Sequence, residues 1–135
     1  MIQVLNSQTI NLQYQTKRKN QIGSKGSYAL CQALSSCTNL VTFMLLLGWN
    51  QIGEEGSTYL GVALANCKKL QSLYVDIRSN QIGYSGASIF FSALKNCANL
   101  STLQIWFQNN EIKQTEEKLL KHKLMKIKQL VQYYK

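Results

Sequence analysis

Three of the four cysteines, Cys37, Cys67 and Cys97, recur every 30 residues. A ladder of thiolates at such positions could in principle hold a metal ion or exchange electrons. The spacing contains no Cys-x-x-Cys pair, however, and the single histidine, His122, lies outside the series. Free cysteine is among the most buried residue types, so the series indicates a small side chain in a repeated packing position. Four thiols without a disulfide framework also favour a reducing compartment.

The other groups that could perform catalysis lack the accompanying residues that catalysis requires. His122 stands between two lysines, and the sequence indicates no acid that would orient it as a general base. Gly23 and Gly26 precede a predicted helix, but neither G-x-x-x-x-G-K-[ST] nor G-x-G-x-x-G is present. Kinase signatures are absent as well. We therefore predict that the chain is not an enzyme and has no cofactor and no metal site.

The 30-residue interval extends well beyond the cysteines. Asn-Gln-Ile-Gly begins at residues 20, 50 and 80, and an altered copy begins at residue 110. Each unit starts with apolar residues in period-two alternation, as at Leu73 and Val75, which predicts a short strand with one buried face. It continues with an apolar stripe at helical spacing, as at Leu60 and Leu64, which predicts an amphipathic helix.

A strand and a helix that alternate without insertions predict a parallel sheet backed by helices. One unit has no means of burying both of its faces, so neighbouring units stack on one another. The expected fold is α/β: a short solenoid with parallel strands on the concave face and helices on the convex face. The length of 135 residues suits one domain, and a hydrophobic share of 45% excludes a charge-dominated disordered chain. The longest apolar stretch is too short to span a membrane.

The residues of one unit resemble a known repeat. They are Leu70, Leu73, Val75, Ile77, Asn80, Ile82, Gly83, Gly86, Phe90, Ala93, Leu94 and Cys97. This pattern resembles a leucine-rich repeat of the ribonuclease-inhibitor-like subfamily over about residues 20 to 113, with 30-residue units similar to those of repeat arrays in protist proteins. The resemblance implies a horseshoe fold and a protein-binding role. It also implies that Asn50, Asn80 and Asn110 form an inward ladder that hydrogen-bonds the backbone of the turns.

The chain is predicted to form a single leucine-rich-repeat domain over residues 1–135, with atypical ends. Near the start, Ile10, Leu12 and Tyr14 alternate like a strand but lie about three residues off the register of the repeat. We expect a degenerate first strand in 1–19, regular repeats in 20–113 and a basic C-terminal capping repeat in 114–135.

In the capping repeat, we expect a helix over about 115–127 and then a short final strand. Leu130 and Tyr133 would occupy the positions of Leu100 and Leu103 in the preceding unit. One continuous amphipathic helix is the alternative, because Leu120, Leu124, Ile127, Val131 and Tyr134 also keep helical spacing.

The outward side chains of the predicted strands form the candidate binding surface. Exposed Met, Leu, Tyr and Trp in one patch resemble the centre of a protein interface. The alternative is that these are isolated apolar residues with no partner, which are common on protein surfaces. The predicted rows are Met44, Tyr74, Gln104 and Leu46, Asp76, Trp106, and the predicted partner-binding set adds Arg78 and Gln108.

Positive charge is concentrated at the two ends of the chain, which has a net charge of +9. Basic ends suit acidic partners such as nucleic acid, anionic lipid or the acidic tails on microtubules. The alternative is a solvated, lysine-rich cap. The predicted electrostatic residues are Lys17, Arg18, Lys19, Lys121, Lys126 and Lys128.

The sequence therefore predicts a non-catalytic protein–protein interaction or architectural subunit that binds through its concave sheet and basic ends. Its partners would be other protein subunits in a large complex, and its location cytoplasmic, cytoskeletal or ciliary. The alternative is a nucleic-acid or acidic-polymer binder, with RNA or a microtubule held by the basic termini. No nucleic-acid-binding motif accompanies the charge.

Overall fold

The computed structural model describes residues 2–6, 9–13, 21–127 and 130–134, the three short segments by their backbone. The strands are β1 (Ile2–Asn6), β2 (Thr9–Gln13), β3 (Thr42–Leu46), β4 (Ser72–Asp76), β5 (Thr102–Trp106) and β6 (Leu130–Tyr134). The helices are α1 (Gly23–Ser35), α2 (Gly53–Asn66), α3 (Tyr84–Ala93), which continues into a 3₁₀ turn (Leu94–Asn96), and α4 (Gln114–Met125). From β2 onward strand and helix alternate, as the two-part repeat predicts.

The strands of the described residues lie in one sheet in chain order, and β2 to β6 run parallel. Thr42 pairs with Ser72, and Ser72 pairs with Thr102, so the regular units keep the 30-residue interval in space. From β2 to β5, each strand is followed by a helix that packs behind the sheet. This is the predicted α/β solenoid, with strands on the concave face and helices on the convex face.

The core lies between the sheet and the helices. Alternate strand residues such as Leu73 and Val75 are fully buried, and so are Leu60 and Leu64 on α2. On α1 the same stripe is less covered, and Ala33 is exposed. Among the described helices α1 is the first and packs against α2 alone, so one of its flanks lacks the neighbour that covers α2.

Asn50, Asn80 and Asn110 form the predicted ladder in the turns after β3, β4 and β5. The Asn80 side-chain oxygen accepts hydrogen bonds from the backbone nitrogens of Asn50 and Ile52, at 2.9 and 3.3 Å. Its amide nitrogen donates to the carbonyl oxygens of Leu47 and Arg78, at 2.8 and 3.0 Å. The Asn80 and Asn110 amides each tie their own turn to the preceding one, whereas the Asn50 amide donates within its own turn. The ladder satisfies backbone groups that would otherwise be buried without partners.

Glycine allows α2 and α3 to pack with their backbones in close proximity. A Cβ atom at Gly86 would lie 2.8 Å from both the Cα atom and the carbonyl oxygen of Glu54 on α2. A Cβ atom at Gly61 would lie 2.9 Å from the Cα atom of Phe90 on α3. Real Cβ atoms do not approach other heavy atoms so closely, so any larger residue at either position would separate the two helices.

At the N-terminal end, the structure has two strands where the sequence predicted one. β2 pairs Ile10 with Phe43 and Leu12 with Leu45, which is the three-residue shift expected from the spacing. β1 then pairs antiparallel with β2, so the first edge of the sheet is a hairpin and not an uncovered parallel strand. The reason is the short connection of residues 7–8, which only an antiparallel pair can use. Tyr14 lies outside the described residues.

At the C-terminal end, a helix and then a strand are present, and the single continuous helix is not observed. The predicted register of the strand is wrong by two residues, because Leu130 pairs with Thr102 and Tyr133 with Ile105. The last unit is shorter than the others: β6 begins 28 residues after the start of β5, whereas β5 begins 30 residues after the start of β4. One of the two missing residues comes from the earlier end of α4 at Met125, and the other from the connection between α4 and β6.

Candidate protein-binding face

The strand register brings the predicted binding residues together in rows across the concave face. Met44 pairs with Tyr74, and Tyr74 pairs with Gln104. One step further along the strands, Leu46 pairs with Asp76, and Asp76 pairs with Trp106. All of these side chains except that of Asp76 are half-buried, as are those of Arg78 and Gln108 beyond the strand ends. The face therefore carries apolar and aromatic surface that is partly accessible to a partner.

Asp76 differs from its expected exposure, because it is buried with 6% of its surface accessible. Its carboxylate accepts hydrogen bonds from Nη2 and Nε of Arg78, at 2.6 and 2.9 Å. The Arg78 backbone nitrogen donates to the same carboxylate at 3.1 Å. This bidentate pair covers the acid, and the hydrogen bond with Asp76 raises the pKa of the Arg78 guanidinium despite the opposing effect of burial.

Trp49 is a candidate binding residue that the sequence analysis missed. Its side chain is 42% exposed, and the Arg78 Cζ atom lies 5.2 Å from the centre of its ring, a cation–π contact. Trp49 has a φ angle of +59°, and the equivalent residues Ser79 and Asn109 also have positive φ. The available signal was an aromatic residue at a turn position that holds Lys, Ser or Asn in the other units. A bulky residue in this conformation is uncommon and marks a constrained site.

Together these residues form what we call the tryptophan–arginine band: Leu46, Trp49, Asp76, Arg78 and Trp106. It follows the ends of β3, β4 and β5 where the strands enter the ladder turns. The Trp49 backbone nitrogen donates to the Arg78 carbonyl oxygen at 2.9 Å, which fixes the two residues relative to each other. The band therefore presents two tryptophans and one arginine from rigid backbone.

The predicted electrostatic residues are only partly described. Lys17, Arg18, Lys19 and Lys128 lie outside the described residues. Lys121 forms an ion pair with Glu117 one turn earlier on α4, at 2.8 Å, and Lys126 is exposed just after the same helix. The Lys123 ammonium group donates to the Ser88 hydroxyl on α3. Two lysines of α4, Lys121 and Lys123, therefore make contacts within the protein.

The regular cysteines sit where helix ends turn back to the sheet. Cys67 and Cys97 are buried, and their thiols donate to the carbonyl oxygens of Ala63 and Leu64, at 3.5 and 3.3 Å. Burial raises the pKa of the Cys67 thiol to about 11 and also raises that of Cys97. Within the described ranges no three Cys, His, Asp or Glu side chains come together as metal ligands. Cys67 and Cys97 are part of the buried core.

The fold and the ladder define the class of protein: a short leucine-rich-repeat solenoid. Residues 66–89 match the family model described as Leucine Rich repeat. The structure resembles that of the protein titled "Leiomodin-1 Actin-Binding Site 2 (ABS2)", with 20% identity and a TM-score of 0.65 over 94% of this chain and 70% of that chain. At this identity the likeness concerns the fold. No curated protein matches the sequence.

In the parts of the chain that the structure describes, no helix is both long and apolar enough to cross a bilayer.

Proposed function

We propose that this chain is a non-catalytic protein-interaction module whose concave face binds a folded protein partner. The observation that carries the proposal is the tryptophan–arginine band, in which Trp49, Trp106 and Arg78 are held on adjacent strand ends. Tryptophan, tyrosine and arginine are the residue types that most often dominate binding energy at protein interfaces. Tyr74 and Met44 continue the same surface in the neighbouring row.

The band is preorganised for binding, which lowers the entropic cost of association. Arg78 is held by the Asp76 carboxylate on one side and by the Trp49 ring on the other. Its side chain is still 36% exposed, so guanidinium N–H groups face outward toward an acceptor on a partner. Side chains already fixed in the free protein lose little rotamer freedom when a partner binds. A carboxylate or backbone carbonyl flanked by apolar side chains is the complementary surface.

Actin is the first partner to test. The support is the structural resemblance to an actin-binding site, together with the expectation from the sequence of a cytoskeletal subunit. The direct experiment is co-sedimentation of the purified chain with filamentous actin, paired with a pull-down of monomeric actin. Saturable binding of either form identifies the partner. Absence of binding at about 100 μM, a concentration that detects even weak interfaces, removes actin from the proposal and leaves the concave face to be tested on other proteins.

The concave face itself is tested with the partner recovered by tagged purification from the source cells. Tyr74→Ala and Trp106→Ala should each weaken binding at least about tenfold if these residues are hot spots. Tyr28→Ala is the matched control, because Tyr28 is an exposed aromatic residue on α1, on the opposite side of the sheet. Unchanged affinity in both concave-face variants would remove this face from the proposal.

The salt dependence of binding in the same purification distinguishes the proposed function from the alternative, which is binding of nucleic acid or an acidic polymer. Partners bound through the apolar concave face should survive a wash in about 1 M salt, because surface charges are strongly screened there. Nucleic acid or an acidic polymer recovered only at low salt would instead favour binding through the basic ends. That alternative is supported by the net charge of +9.

We further propose that the module serves as a subunit of a larger cytoskeletal assembly. So short an array has a limited core, and neighbouring subunits would complete its burial. The division into a first strand, regular repeats and a basic capping repeat, and the ribonuclease-inhibitor-like subfamily, stay predictions. Truncation before residue 114 tests the capping repeat: it should expose the apolar surface of α3 and lower the solubility of the chain.

A further inference from the structure

The junction between α3 and α4 lacks the small residues that let α2 and α3 pack closely. Glu116 on α4 occupies the repeat position of Gly86, and Phe91 on α3 occupies that of Gly61. A Cβ atom at Gly61 or Gly86 would meet the neighbouring helix within 3 Å, so Phe91 and Glu116 do not fit at that helix separation. Contacts between α3 and α4 are accordingly sparser than those between α2 and α3.

The wider junction contains a cavity of about 340 Å³. Its floor is apolar, formed by Phe91, Phe107, Leu120 and Leu124, each at most 6% exposed. Phe91 and Phe107 have their ring centres 5.3 Å apart and make a continuous aromatic surface. Since the floor is already formed, an apolar occupant would find its contacts in place.

The rim limits the chemistry of the occupant. Glu117 and Lys121 line the cavity and form an ion pair at 2.8 Å, so together they present no net charge. An ionic ligand would have to compete with one member of this pair. Asn109 and Gln108 add carboxamide groups to the lining, which suit the amide groups of a peptide backbone. The cavity is near the small end of ligand pockets, which favours one large side chain over a larger molecule.

Position in the fold identifies the source of that side chain. Gln108 both lines the cavity and belongs to the predicted partner-binding set of the concave face, two residues after Trp106 in the tryptophan–arginine band. The cavity therefore borders the proposed interface at Gln108. We propose that the α3–α4 cavity receives an uncharged aromatic or leucine side chain from the protein that binds the concave face. The partner named in this inference rests on the proposed function. The test does not, because it uses small mimics of the side chain.

The test uses minimal mimics of such a side chain, N-acetyl-phenylalaninamide and N-acetyl-leucinamide, titrated into the ¹⁵N-labelled full chain. Chemical shifts should change at the amides of Phe91, Gln108 and Leu120, with a Kd on the order of 1 mM. N-acetyl-lysinamide should produce no such changes. Shifts that are absent up to about 20 mM, or that scatter over the surface, would overturn the proposal.

Two variants reduce the cavity from different positions in its lining. Ile112→Trp enlarges a half-buried lining residue and should weaken mimic binding more than tenfold. Asn109→Trp enlarges an exposed lining residue at a turn position that already holds Trp49 in another unit, and should weaken binding about fivefold. Ser79→Trp is its control, because Ser79 holds the same turn position and is not among the residues that line the cavity.

The outcomes distinguish the two proposals. Mimic binding that Ile112→Trp leaves unchanged, in a variant with an unaltered circular dichroism spectrum, contradicts the cavity site. If Ile112→Trp fails to fold, the comparison of Asn109→Trp with Ser79→Trp decides the question. A partner that binds Ile112→Trp with unchanged affinity but no longer binds Trp106→Ala would support binding at the concave face. The same result would overturn the proposal that the partner inserts a side chain into the cavity. Mimic binding at the cavity with no partner on the concave face rejects the proposed function alone.

Discussion

The α2–α3 junction and the α3–α4 junction are built from equivalent positions of the repeat, yet one is closed and the other open. At the closed junction, Gly61 and Gly86 bring backbone against backbone. At the open junction, Phe91 and Glu116 occupy the same positions and a cavity of about 340 Å³ remains. The two junctions therefore differ in the size of the side chains at two equivalent positions, while the sheet continues past both of them.

The ladder shows the same contrast between the interior and the end of the array. Asn80 is fully buried between two neighbouring turns. Asn110 is half-buried, although it makes the same kinds of hydrogen bonds to Asn80 and Ile82. Water therefore has access to the last rung and is excluded from the one before it. Stability should be concentrated at the closed junction, which makes the comparison testable by substitution.

The largest effect is expected for Asn80→Ala. The substitution removes four hydrogen bonds and leaves the backbone nitrogens of Asn50 and Ile52 buried without their acceptor. We expect the free energy of unfolding to fall by about 3 to 4 kcal/mol, measured by urea denaturation followed by circular dichroism. Asn110→Ala should cost about half as much, because water can replace part of what is lost. Equal losses of stability in the two variants would contradict the difference between the buried rung at Asn80 and the half-buried rung at Asn110.

The next largest effect is expected for Gly86→Ala. The added methyl group would lie 2.8 Å from backbone atoms of Glu54, so α2 and α3 would have to separate. Overpacking of this kind should lower the free energy of unfolding by about 2 kcal/mol, even though alanine favours helix more than glycine does.

The matched control for Gly86→Ala is Ser85→Ala, an exposed position on the same helix. It should stabilise the protein slightly or leave its stability unchanged. If Gly86→Ala were also neutral, the close approach of α2 and α3 would not be what separates the closed junction from the open one.

Much of the fold could be predicted from the sequence because the repeat supplies the same information several times. Period-two alternation located β3, β4 and β5, and helical spacing located α2 and α3. The ladder of Asn50, Asn80 and Asn110 followed from the resemblance to a known repeat and is confirmed by its hydrogen bonds. Each of these features depends on residue types that neighbouring units have at equivalent positions.

The errors fall where a unit departs from its neighbours. The two-residue register error at β6 arose because the last unit is two residues shorter than the others, and the sequence does not mark where α4 ends. Asp76 was placed on the surface by strand alternation alone, which carries no information about the Arg78 side chain that covers it. The α3–α4 cavity depends on the distance between two helices. That distance depends on how Phe91 and Glu116 pack between the helices, which the repeat pattern does not reveal.

A smaller effect should follow the ionisation of Cys67, which lies at the end of α2. Burial raises the pKa of its thiol to about 11, above the value of an unfolded chain, so the folded state favours the neutral thiol. This contribution to stability is complete below the unfolded pKa and is lost as the pH rises from about 9 to 11. Across that window we expect a loss of about 1 to 2 kcal/mol relative to Cys67→Ala.

The measurement is urea denaturation of both proteins at several pH values, because lysine and tyrosine titrate in the same range and only the difference reports on the thiol. Cys31→Ala is the control, since Cys31 is half-buried on α1, away from the closed junction. Parallel curves for wild type and Cys67→Ala would show that the neutral thiol does not contribute to the closed junction.

The smallest effect is expected for Lys121→Ala at the open junction. Lys121 and Glu117 form an ion pair, but their side chains are 36% and 39% exposed, so water and salt weaken the attraction. The free energy of unfolding should change by less than about 0.5 kcal/mol, and the change should vanish in about 1 M salt. Lys118→Ala, on the exposed face of the same helix, gives the reference for loss of a lysine without an ion pair. A loss well above 1 kcal/mol would mean that the ion pair, and not Leu120 and Leu124, holds α4 in place. The ion pair at the rim of the cavity would then hold the open junction together. A neutral side chain that displaced this pair would bind unfavourably.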